Sequence, residues 1–237
     1  RGALWQEIGD ALVLGVTVTL ILGTVLRGVS DWVRQSSGRL ESGGRRVVLV
    51  LGVVLLLPGL LGALSLGLLI FEISQRMGVA PSYSPGPLIG GLCLFLLPRA
   101  LALHAMLLRN EGHSGLYLAQ QMARPAPSSG GTVATWGQAI VWRMRDAGRF
   151  WGLAILFWWG YLELTLPELL RPSGMAPAPM RLYNLLHYDH RPGLAAMLAV
   201  VLAVPVGLVV LVAGLMQRHR LSGLNRHSSE RHSSEMV

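Results

Sequence analysis

Residues 192–217 read PGLAAMLAVVLAVPVGLVVLVAGLMQ, without one charged side chain. A helix needs roughly 20 mostly apolar residues to cross the hydrocarbon core of a bilayer, and this stretch has that length uninterrupted. Four more segments lie upstream. Residues 11–26 and 47–71 are also uncharged, residues 87–108 carry only Arg99, and residues 150–170 carry only Glu163 and Glu168. Extended to their polar flanks, the five give expected spans of about 10–29, 47–73, 86–108, 150–170 and 192–217. The expected fold is all-α: a polytopic membrane protein with about five transmembrane helices.

Composition agrees. Hydrophobic residues make up 52% of the 237 positions, more than a soluble domain can cover with polar surface, so lipid is the expected solvent. Every basic residue is Arg. A net charge of +8 in a soluble chain would suggest nucleic acid; beside apolar spans, arginine instead sets orientation, and no nucleic-acid partner is expected. The single cysteine, Cys93, lies in an apolar stretch, which excludes an intrachain disulfide and fits a small buried hydrophobe. The chain starts at Arg1 and shows no signal-peptide pattern, so it reads as a piece of a longer polypeptide.

Fourteen arginines fall in the segments after the first and third spans and in the C-terminal tail; five (Arg1, Arg76, Arg171, Arg181 and Arg191) fall in the alternate segments. Positive residues favour the cytoplasm. The expected N-terminus is therefore outside and the C-terminus inside, in a cytoplasmic (inner) membrane. Pro58 and Pro205 fall inside spans, where proline kinks a helix, and Gly59, Gly62 and Gly67 would permit close packing beside the first kink. The segment 109–149 is too long and polar for a hairpin; residues 113–123 and 132–149 read as helix-capable halves. The tail, 218–237, repeats Arg-His-Ser-Ser-Glu from Arg226 and again from Arg231, a low-complexity pattern that predicts disorder.

The layout resembles the transmembrane domain of a type I ABC importer. The resemblance sharpens at Gly160-Tyr-Leu-Glu-Leu-Thr-Leu-Pro-Glu-Leu-Leu170 and continues through residues 172–188, PSGMAPAPMRLYNLLHY. These are similar to the ferric-iron-type permeases, in which a Glu in the penultimate helix precedes a Pro/Gly outer loop and an Arg-Leu-Tyr-Asn-Leu-Leu-His-Tyr-like segment. Arg181, Tyr183, Asn184, His187 and Tyr188 stand at those positions. The resemblance implies that residues 1–217 form one permease half, the second half of a longer chain. Its implied partners are ABC ATPase subunits, a second permease half and an extracytoplasmic solute-binding protein. The inner loop would couple to the ATPase through Gly115, Leu116, Tyr117, Leu118, Ala119 and Gln120. Only Ala119 matches the family's Glu-Ala-Ala…Gly motif there. That departure motivates a second reading, a membrane structural or interaction protein without ATPase coupling.

No G-x-x-x-x-G-K-[ST] motif is present, so ATP and Mg are expected in a partner polypeptide, with no cofactor on this chain and no enzymatic activity. Glu163 reads either as a pathway residue or as a hydrogen-bonded structural carboxylate, since charge inside a span is costly. Arg99 is open to three readings: pairing with Glu163, lining the path, or snorkelling to an interface. An intramembrane enzyme would need Glu163, Arg99 and His104 to converge. His187-Tyr-Asp-His190 carries metal-capable atoms, but the spacing is unspecific, and no metal site is expected. Trp142 and Trp151 fit an interfacial belt; Trp158 and Trp159 lie deeper, where packing and pore lining are both open.

Overall fold

The computed structural model describes residues 2–36, 56–78, 83–110, 147–188 and 194–234, with single positions 52, 54, 118, 121 and 141. The described residues are mostly helical, and no strand occurs among them. The principal helices are α1 (Gly2–Ser36), α2 (Gly62–Arg76), α3 (Gly86–Asn110), α4 (Ala147–Leu162), α5 (Thr165–Leu170), α6 (Ala178–Tyr188) and α7 (Leu194–Ser234).

Three of these are long and apolar enough to cross a membrane: Leu4–Asp31 within α1, Gly86–Leu107 within α3 and Leu194–Met216 within α7. They coincide with the expected first, third and fifth spans. The protein is therefore of membrane type by helix length and composition. The other two expected spans are helical but interrupted. In the second, residues 56–60 are helical, the backbone bends at Leu61, and Gly62 adopts φ +76° before α2 resumes for 15 residues; residues 47–51 lie outside the described residues. In the fourth, Glu163 and Leu164 leave the helix and divide it into α4, of 16 residues, and α5, of six. α7 runs on to Ser234, across residues 218–234, where the repeat predicts disorder. No proline follows Pro205 to stop it.

The chain divides into two compact units, one comprising Arg1–Ala105 and Gly152–Val201, the other Met106–Trp151 and Leu202–Val237. The first holds the core. Leu14, Val18, Leu22 and Leu26 recur every four residues along one stripe of α1. They form one cluster with Leu88, Leu92, Phe95, Leu96 and Ala100 of α3, Leu156 of α4, Leu66 of α2, and Leu166 and Leu170 of α5. The opposite side of α1 is apolar as well, with Val13, Leu20 and Val25 exposed. A helix apolar all round needs lipid or a partner on its free face.

Close approach depends on small residues. A Cβ placed on Gly160 of α4 would lie 3.7 Å from the Cα of Gly15 on α1, and one on Gly15 would lie 3.2 Å from the Phe157 ring. Hydroxyls inside α1 are satisfied by their own helix. Thr19 Oγ1 donates to the Gly15 carbonyl at 2.7 Å and Ser30 Oγ to the Leu26 carbonyl at 2.7 Å. In the second unit, Leu107 Cδ2 would stand 3.2 Å from a Cβ on Gly148, and the Phe150 and Trp151 rings meet edge-on at 5.5 Å.

Candidate functional site

Two places in the first unit hold charged groups against apolar helices. The first is midway along α3. Pro98 interrupts the hydrogen-bond ladder there, and its ring packs against the chain at Gly59, where a Cβ would meet Pro98 Cγ at 2.7 Å. Arg99 follows on the exposed side. Its guanidinium carbon lies 4.3 Å over the Phe95 ring and 5.8 Å from the Trp159 ring of α4. Cation–π contact contributes about 0.5–2 kcal/mol, the larger value when water is excluded. A cation at mid-span costs roughly 2.5–3.5 kcal/mol on insertion scales, so the two rings offset only part of it.

Arg99 makes no ion pair with Glu163. Among the described residues, ion pairs join Arg76 to Glu72 and Arg181 to Glu7. Glu163 Oε1 instead accepts the backbone N–H of Thr165 at 3.2 Å. That bond satisfies a backbone donor at the start of α5, while the break itself follows from Pro167, which has no N–H for the Glu163 carbonyl. His104 Nε2 contacts Ser30 Oγ of α1 at 2.6 Å. Glu163, Arg99 and His104 are thus engaged with three different sets of groups and do not form one cluster. Below Glu163, Tyr161 is buried and its hydroxyl donates to the Val201 carbonyl at 2.8 Å, tying α4 to α7.

The second place is the end of the unit where α1 starts. Glu7, 8% exposed, accepts from Arg181 Nη1 of α6 through Oε1, while its Oε2 is buried with no partner among the described residues. Burying a carboxylate is tolerable only when it is paired, so Arg181 pins α6 onto α1. The approach to α6 is a turn in which Met175 N–H donates to the Pro172 carbonyl at 3.1 Å and Gly174 has φ +91°. A positive φ at the third position marks a type II turn and requires glycine there. The turn, α1 and the start of α3 line an open, mainly apolar groove of about 380 Å³, with Gln6 and Asp10 at its polar edge.

The remaining residues of the α6 motif are less engaged. Tyr183 and His187 are exposed and stack on each other at 4.2 Å, with His187 Nδ1 donating to the Tyr183 carbonyl at 3.2 Å. Asn184 is half-buried. Tyr188 ends the helix, and Asp189 and His190 lie outside the described residues. Among the described residues no group of three His, Cys, Asp or Glu side chains is arranged to hold a metal ion. Of the coupling segment only Leu118 is described, helical and exposed; Gly115, Leu116, Tyr117, Ala119 and Gln120 lie outside the described residues, as do His113 and Trp142.

Glu7, Ser30 and the Gly59–Pro98 contact have no sequence signature pointing to their partners. For Glu7 there was one available signal: an acid in the first turns of an otherwise apolar helix needs a cation from elsewhere. No protein-family model matches the chain, and no curated protein matches it.

Proposed function

We propose that this chain is a transmembrane permease half of an ABC importer, similar to the ferric-iron permeases, set in a cytoplasmic membrane with its N-terminus outside. A single observation carries the reading. The segment that bears the resemblance, residues 160–188, is structurally continuous: a helix broken at Glu163, a proline-glycine turn, and α6 held on α1 through Arg181 and Glu7. Such a piece caps one end of a helix bundle, where a solute-binding protein would dock over the groove beside Pro172. All five apolar segments cross the bilayer in this proposal, the interrupted ones included, because broken helices are accepted in membranes where they face protein or a water-filled cavity. The path belongs to a dimer of two permease halves, with Arg99 and Glu163 on it. ATP is hydrolysed by separate subunits that grip residues 115–120.

A second reading, a membrane interaction protein without coupling, is favoured by one observation: residues 115–123, GLYLAQQMA, lack the acidic residue of the coupling motif. One experiment separates the two. The full chain is purified from its own membranes with Cys93→Ala and a single cysteine at Tyr117 or Ala119, and co-purifying polypeptides with a G-x-x-x-x-G-K-[ST] motif are identified. The expected result is an ATPase that cross-links to position 117 or 119 in a nucleotide-dependent way. Absence of any associated ATPase overturns the importer and leaves the uncoupled protein.

A further inference from the structure

The position of Arg99 within α3 bears on what could pass it. The apolar window runs Gly86–Leu107. Arg99 stands 13 residues from one end and eight from the other, about 20 Å and 12 Å by helical rise. A snorkelling arginine would bend towards the nearer end. This one does the opposite: its guanidinium lies over Phe95, one turn back towards Gly86, and reaches across to Trp159. The guanidinium thus stays within the apolar window instead of reaching towards its nearer end, on the exposed side of the unit. Among the described residues it has no carboxylate partner and no hydrogen bond. Its guanidinium N–H groups can therefore grip a carboxylate or oxyanion in two-point fashion. Lipid cannot satisfy those groups, so the surface they face is aqueous or bears an anion.

We propose that Arg99, seated on Phe95 and Trp159, is an anion-binding point of the solute path, and that the solutes carried are small molecules bearing a carboxylate or oxyanion. This rests on the transport reading above and names its substrate class. A bare ferric ion would be repelled at this point; iron using such a path travels as an anionic chelate.

The test measures the local charge as solutes would feel it. In the full chain with Cys93→Ala, a reporter Trp159→Cys is treated, in open membrane fragments, with anionic and cationic methanethiosulfonates of similar size. The same is done with Arg99→Gln added. The expected result is labelling by both reagents and a fall of roughly tenfold in the anion-to-cation rate ratio when Arg99 is neutralised, as for one charge within a few ångströms of the thiol. Ile155→Cys, on an exposed position one turn earlier in α4, leaves both rings intact and serves if Trp159→Cys does not fold; a fall of about threefold is expected there. An unchanged ratio overturns the anion site. Labelling in detergent but not in membranes overturns it too, since lipid or a partner protein then covers this face. ATPase association is scored separately, so the anion site and the importer reading can fail independently.

Discussion

At the scale of single residues, two contacts carry consequences that their sequence positions do not advertise. Glu7 is buried and depends on Arg181. Arg181→Ala would leave an unpaired carboxylate in an apolar site. Removing one partner of a fully buried pair costs about 3–5 kcal/mol; because the Arg181 side chain is 41% exposed, about 2 kcal/mol is expected. Thermal unfolding in detergent should show that loss for Arg181→Ala, and the double variant Glu7→Gln/Arg181→Ala should recover a large part of it. No recovery would mean that the pair does not hold α6 on α1. Gly59 is the second case. An alanine there would drive its Cβ to 2.7 Å from Cγ and 3.0 Å from Cβ of Pro98, and a pyrrolidine ring cannot swing aside. Gly59→Ala should destabilise by about 1–3 kcal/mol, whereas Gly90→Ala, whose Cβ meets nothing within 4 Å, should be neutral or slightly stabilising. Equal melting temperatures for the two variants would remove the Gly59–Pro98 contact from the account. In the sequence Gly59 stands out as a small packing residue beside Pro58, yet the proline it meets is 39 positions away. Local patterning names a small residue and leaves its partner open.

Among elements, the breaks are more informative than the helices. α1, α3 and α7 were legible because an uncharged run of span length has few alternatives. The interruptions do not show in hydropathy, whose pattern continues across Glu163 and across Leu61 as though the helix did too. What ends the helix at Glu163 is Pro167, four residues on, which has no N–H to offer the Glu163 carbonyl and whose ring crowds it; the Glu163 carboxylate then accepts the Thr165 N–H that the break leaves open. The break matters because it sets α5 at the angle from which Leu166 and Leu169 reach Gly67 of α2, where a Cβ would meet Leu169 Cδ1 at 2.7 Å and Leu166 Cδ2 at 3.3 Å. Glu163→Ala should cost about 1 kcal/mol, the usual net worth of one hydrogen bond. Glu163→Gln keeps the acceptor and should retain wild-type stability. The pair of variants thus separates structure from transport. With assembly intact, reduced solute uptake by Glu163→Gln would mark the charge itself as part of the path, while normal uptake would confine Glu163 to its bond with Thr165. The α6 motif was legible as a unit, but its anchor was not: the resemblance identifies Arg181, and only the fold brings Glu7 to it from 174 positions away.

For the whole molecule, the number of crossings decides where the polar segment 109–146 lies, and with it whether ATPase coupling is possible. Three helices meet the length and hydropathy of a span on their own. If only these crossed, the termini would still lie on opposite sides, so locating the ends cannot resolve the question. The loop can. With five crossings, residues 109–146 share the side of the C-terminus; with three, they share the side of the N-terminus. The charge distribution favours five, because Arg109, Arg124, Arg143 and Arg145 then join the cytoplasmic arginines, whereas three crossings would strand them outside. A six-residue α5 and a 15-residue α2 cannot each span roughly 30 Å alone. They can complete crossings as continuations of α4 and of helical residues 56–60, with the free backbone groups at the breaks facing protein. A single cysteine at Tyr117 in the Cys93→Ala chain tests this directly in sealed, right-side-out vesicles. The expected outcome is protection from a membrane-impermeant maleimide until the vesicles are opened, with a cysteine at Met236 behaving identically. Labelling of position 117 in sealed vesicles, with position 236 still protected, would establish three crossings. It would also put the coupling segment on the face where no ATPase can reach it.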